Sequence, residues 1–137
     1  MENIEIFARG VWECIPDEED SSWVRNIAEL PGSTKPAGDY GPIIKEMLSR
    51  GISADTIARF AKIVGYETAF GLCYHLGDST GSYENFEDDE AEELDWKLYL
   101  VDPVTDEPTG ALSGVHEVLL SMDPTGRQMR PKTIVEC

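Results

Sequence analysis

The chain has few basic residues and few cysteines, and it contains no long apolar run. Its 11 Lys and Arg face 27 Asp and Glu, which leaves a formal net charge of −16 and a pI near 4.3. Such a surface repels phosphate, so nucleic acid and anionic membranes are disfavoured as direct partners and basic proteins become the expected ones. Cys14, Cys73 and Cys137 lie far apart with no Cys-x-x-Cys pair among them. That spacing argues against a disulfide framework and a zinc site, and it fits a reducing cytoplasm. The longest uncharged stretch of the hydrophobic middle, Thr68 to Gly77, is about half of the ~20 residues that a membrane span requires. Glu2 and Glu5 stand where an export signal would carry basic residues, so a cytoplasmic location without membrane contact is expected.

Motifs of chemistry are equally scarce. His116-Glu117 lacks the second His one helical turn later that a zinc protease needs, because position 120 is Leu. Asp78, Thr80, Ser82 and Glu84 follow calcium-loop spacing, but Tyr83 stands where the turn needs Gly and Asp89 where a bidentate Glu closes the shell. Ser113, in the run GALSG, is one residue out of step with a nucleophile elbow and is better explained as a helix cap. Cys73 and His75, two apart on a helix, do not face each other and form no dyad. No glycine-rich phosphate loop is present. The expectation is a non-enzymatic protein with no cofactor and no metal.

What is present is a core. With 41% hydrophobic residues, a chain of 137 residues can bury roughly two-thirds of its unfolded surface, so residues 1–137 are expected to form a single globular domain. Ile4, Phe7, Ala8, Val11, Trp12 and Ile15 recur at spacings of three and four, the signature of one buried helix face. A second helix is expected after a cap at Asp20, Ser21 or Ser22, with Trp23, Ile27 and Leu30 inward. The Gly/Pro-rich stretch 31–41 reads as an internal loop, and Pro42 then opens a third helix that stops at Gly51. Ser53-Ala54-Asp55 caps a long helix reaching about Leu76, apolar on nearly every side of its second half, which is therefore expected in the core. Gly65 and Gly71 inside that helix call for an offsetting reason, most simply close approach of another helix, with a kink as the alternative. Trp96, Leu98 and Leu100 alternate with Lys97, Tyr99 and Val101 as a strand does, and 102–110 reads as a turn or loop. A short helix follows from Val115 to Met122, closed by the turn Asp123-Pro124-Thr125-Gly126, and Ile134-Val135 suit a short strand. The predicted class is predominantly α (α+β): four to five helices around a long buried central helix, with a short antiparallel strand or hairpin in the C-terminal third.

The acidic segment 78–95 carries much of the charge. Asp78, Glu84, Glu87, Asp88, Asp89, Glu90, Glu92, Glu93 and Asp95 occur there without one Lys or Arg. A one-signed run beside aromatics attracts a cationic partner from a distance, and buried aromatic anchors slow its departure. The candidate partner-binding residues are Tyr83, Glu84, Phe86, Glu87, Asp88, Asp89, Glu90, Glu92, Glu93, Asp95 and Trp96; a solvated acidic loop, with Trp96 as a core strand residue, is the plainer account. A second set, His116, Glu117, Asp123, Arg127 and Arg130, forms a candidate polar pocket, or a tail tied by salt bridges to an acidic body.

The phrases HEVLLSMDPTGRQMRP (His116 to Pro131) and YETAFGLCYHLGD (Tyr66 to Asp78), with the Trp96 segment between them, resemble a group of small acidic bacterial proteins. The resemblance covers about half the chain, implies a shared fold and carries over no catalytic residue. In physical profile the chain is also similar to immunity proteins encoded beside bacterial toxins. Together these readings imply an acidic cytoplasmic binding protein that neutralises or docks a basic protein, with a toxin nuclease as a fitting partner. The alternative is a structural or regulatory subunit that pairs with a second copy through Ser53–Leu76.

Overall fold

The apolar spacing at the N-terminus closes into helix α1 (Asn3–Trp12), which buries Ala8 and Trp12. The computed structural model describes residues 2–77 and 95–132. Helices α2 (Ser22–Ala28), α3 (Tyr40–Ser49) and α4 (Ala54–Gly77) follow, then strands β1 (Tyr99–Val101) and β2 (Pro108–Ala111), helix α5 (Val115–Leu119) and a 3-10 turn, Leu120–Met122. Five α-helices and one two-stranded antiparallel sheet among the described residues make the chain mainly helical with a small β element. The chain divides into two compact units, Met1–Cys14 with Tyr66–Cys137, and Ile15–Gly65; α4 continues through the boundary.

In the unit Ile15–Gly65, the core consists of Val24 and Ala28 from α2, Ile44 from α3, and Ala54, Ile57 and Ala58 from α4. Trp23, Ile27, Met47 and Leu48 pack around it, while Leu30, expected inward, is exposed beyond the end of α2. The start of α4 is capped as its sequence predicts: the Ser53 hydroxyl accepts the Thr56 N–H at 3.1 Å. Ser21 does not cap α2 with its side chain; its hydroxyl instead donates to Asp55 at 2.7 Å, joining the starts of α2 and α4. Gly51 ends α3 in the left-handed conformation that favours glycine.

In the other unit, the buried side chains are Ala8, Trp12, Cys73, Leu112, Val115, Leu119 and Met122. The Trp12 indole N–H donates to the Leu119 carbonyl at 2.7 Å, linking α1 to α5. Gly114, left-handed, precedes α5, which has no side-chain cap, so Ser113 does not play the capping part expected of it. In the sheet, Tyr99 pairs with Ala111, Leu100 with Gly110 and Val101 with Pro108, with an irregularity after Leu100. The stretch expected as loop up to Gly110 therefore supplies the second strand.

The second half of α4 departs from expectation. Cys73 is buried, but Ile63, Val64, Leu72 and Tyr74 are exposed, and Tyr66, Ala69, Phe70 and Leu76 are half-buried. The physical reason is geometric: neighbours cover only part of a helix's circumference, so an all-round apolar sequence leaves one side in solvent. The two helix glycines also differ. A Cβ at Gly65 would lie 2.9 Å from Pro16 Cδ, so it is the Ile15-Pro16 segment, not another helix, that requires glycine there. Nothing lies within 4 Å of a Cβ at Gly71, and nothing in the structure explains that glycine. Gly71→Ala is therefore expected to stabilise the protein by up to ~1 kcal/mol through helix propensity. Gly41→Ala should do the reverse. Its Cβ would fall 2.6 Å from the Ile27 carbonyl oxygen and closer still to that of Leu30, so α2 and α3 would have to separate, at about 1–3 kcal/mol. Urea denaturation of both variants checks the pair; a loss at Gly71 or no loss at Gly41 contradicts these environments.

Candidate functional site

The described residues on either side of the acidic segment come together. Tyr83, Glu84, Phe86, Glu87, Asp88, Asp89, Glu90, Glu92 and Glu93 lie outside the described residues, whereas Gly77, Asp95 and Trp96 are within them. The last carbonyls of a helix have no intrahelical partner. At the end of α4 the Trp96 indole N–H donates to two of them, His75 at 3.2 Å and Leu76 at 3.1 Å. The indole also packs on the His75 ring, with centroids 4.7 Å apart. The Asp95 carboxylate accepts the Trp96 N–H at 2.8 Å. Chain departure at Gly77 and return at Asp95 thus meet at one point, the C-terminal end of α4. That end carries the negative pole of the helix dipole, the same sign as the Asp95 carboxylate. Trp96 is half-buried, so its ring serves this junction.

The second set divides. His116 packs edge-on against Phe70, with centroids at 5.7 Å, and Tyr74, at 4.9 Å; its Nδ1 is buried and has no hydrogen-bond partner. Glu117 is exposed on α5. Asp123 is buried in the turn that follows, where Oδ1 accepts the Thr125 N–H and hydroxyl at 3.0 Å each and Oδ2 accepts the Met129 N–H at 3.1 Å. Arg127 and Arg130 belong to the same turn, and the Arg130 guanidinium donates to the Arg127 carbonyl at 3.3 Å. Asp123, Arg127 and Arg130 therefore share a compact turn, and His116 faces aromatic rings.

Two concavities lie among the described residues. A cavity of about 10 Å³, room for about one water, is lined by Phe7, Cys73, Leu76, Gly77, Leu98, Leu112 and Val115. Its walls are apolar, and burial pushes the Cys73 thiol up from its ordinary range, which keeps it protonated and unreactive. An open groove of about 550 Å³ runs along Leu30, Pro31, Pro42, Lys45 and Glu46, with no nucleophile–base pair on it. Among the described residues, no three His, Cys, Asp or Glu converge as a metal site would require.

Sequence reasoning missed a buried ionic cluster. Glu18 Oε1 accepts from Arg59 and from Lys62, each at 3.2 Å, with Glu18 and Lys62 almost wholly buried. The signal was present in α4: Lys62 falls on the same stripe as Ala54, Ile57 and Ala58, so a cation was bound to turn inward. Its anion sat inside a run, Asp17 to Asp20, that reads as a solvated helix approach.

No family model, no curated protein and no solved structure matches the chain.

Proposed function

We propose that the chain is a non-enzymatic acidic binding protein that docks a basic protein partner in the cytoplasm, with a toxin nuclease as the partner class it suits best. The observation that carries this reading is the density of carboxylates between Asp78 and Asp95, unrelieved by any Lys or Arg and rooted at the negative pole of α4. Among the described residues, Arg59 and Lys62 pair with Glu18, and Arg50 pairs with Glu46. Carboxylates arrayed in this way offer a nuclease the charge that its phosphate substrate would bring.

Replacing Glu84, Glu87, Asp88, Asp89, Glu90, Glu92, Glu93 and Asp95 by their amides halves the net charge of −16. The wild type, immobilised, is expected to retain basic proteins from a lysate of its source at ~0.1 M salt, and the amide variant to lose them. Association with the recovered partner should slow about tenfold or more as salt rises toward 1 M. Equal capture by both forms, or a rate indifferent to salt, overturns the assignment.

A second reading, a homodimeric structural or regulatory subunit, draws on Phe60, Ile63 and Val64, all exposed on α4. Sedimentation separates the two: a tight dimer, unchanged in the amide variant, favours the subunit.

A further inference from the structure

The β-hairpin inverts the usual pattern of a half-solvated sheet. Antiparallel sheets with one wet face place polar residues outward. Here Leu100 faces inward and half-buried, while its neighbours Tyr99 and Val101 point to solvent. Directly opposite them on β2 stand Ala111 and Pro108, also exposed, so the paired positions of the outward face are apolar, with the exposed Lys97 flanking Tyr99. Val104, at the tip, is 90% exposed. Each strand keeps one edge unpaired among the described residues, and a two-stranded hairpin alone has little stability in water. An apolar centre with open strand edges is how a sheet receives an extended segment of another chain.

The tip of this face is anionic. Asp102, Asp106 and Glu107 surround it, while the exposed Lys97 lies at the other end, before β1. Among the described residues, none of the three has a cation within ion-pair distance, in contrast to Glu18 and Glu46. The Asp102 carboxylate accepts the N–H groups of Val104 at 2.8 Å and Thr105 at 3.1 Å, which hold it below the usual carboxylate range and keep it charged. Exposed edges are commonly guarded by Lys, which repels other cationic strands; a guard of carboxylates admits them.

We infer that the outward face of the β1–β2 hairpin (Tyr99, Val101 and Val104, rimmed by Asp102, Asp106 and Glu107) is a docking surface for an extended, Lys- or Arg-bearing segment of a protein partner. This rests on the reading of that partner as basic and adds to it a second contact, apolar at its centre, beside the charge of the acidic segment. Steering belongs to the carboxylates, and retention to the hairpin.

The test uses the full chain and two labelled peptides of equal length, one alternating Lys and Val, the other Lys alone, with fluorescence anisotropy at ~0.1 M salt. The triple variant Tyr99→Ser, Val101→Thr, Val104→Ser is expected to bind the alternating peptide about tenfold more weakly while holding the all-Lys peptide as the wild type does. Val104→Ser alone, at a position without packing neighbours to disturb, should show part of that loss with an unchanged melting temperature. If the triple variant holds both peptides as the wild type does, the hairpin surface is refuted, and the charge reading still stands provided the amide variant loses both. Failure of the wild type to bind either peptide overturns both readings. A wild-type dimer that the triple variant renders monomeric assigns the face to a second copy of the chain and also overturns the inference.

Discussion

Glu18→Ala is expected to destabilise the protein by about 3–5 kcal/mol, because it removes the buried carboxylate that Lys62 and Arg59 share. Glu18 is 3% exposed and the Lys62 side chain 5%, so neither charge is screened by water as a surface pair is. Arg59, at 26%, reaches solvent and loses less when the carboxylate goes. The expected loss therefore comes chiefly from Lys62. Lys62→Met offers the matching control: it removes the buried cation, leaves Glu18 with Arg59, and fills similar space with an apolar chain, so its cost should be well below that of Glu18→Ala. The double variant should regain part of what Glu18→Ala loses, since the two side chains interact directly. Urea denaturation at neutral pH measures all three, with the slope of the transition serving as a check that only stability has changed. A loss under ~1 kcal/mol for Glu18→Ala, the range of exposed pairs, would mean that water reaches the cluster and that its burial has been misjudged.

That cluster also marks the limit of what one-dimensional patterning conveys. Periodicity identified α1 and its buried Ala8 and Trp12, the Ser53 cap of α4, the stop at Gly51 and the short helix at Val115, because each is a local consequence of 3.6-residue spacing or of terminal backbone groups. Glu18 finds Arg59 and Lys62 across separations of 41 and 44 residues, and no local rule joins them. Strand β2 was hidden for a different reason. Pro108, Thr109, Gly110 and Ala111 have the composition of a turn, and they form a strand only because β1 pairs with them. The exposure of Ile63, Val64 and Leu72 was hidden because hydrophobicity states what can be buried, while neighbours decide what is. Of the two site hypotheses, the acidic segment is a property of composition and was visible at once. The junction between the residues that flank it depends on an indole meeting carbonyls 20 and 21 residues away.

The same kind of long-range indole contact governs the other large effect. Trp12→Ala is expected to cost about 3–5 kcal/mol, the range for deleting a large buried aromatic. Trp12 is 4% exposed and stacks on Tyr66 with centroids 5.6 Å apart and planes at 21°. Its N–H donates at 2.7 Å to Leu119, the last residue of α5, whose carbonyl lies beyond the intrahelical bonds of that short helix. A five-residue helix has almost no stability of its own, so α5 is held by what it packs against. Trp12→Phe separates the two contributions: it keeps most of the ring packing on Tyr66 and removes the donor, losing one buried hydrogen bond to Leu119 at about 0.5–1.5 kcal/mol. If Trp12→Phe and Trp12→Ala lose equal stability in urea denaturation, the hydrogen bond outweighs the packing. If both lose less than ~1 kcal/mol, α1 is not docked on α5 through this side chain, and the burial of Leu119 requires another cause.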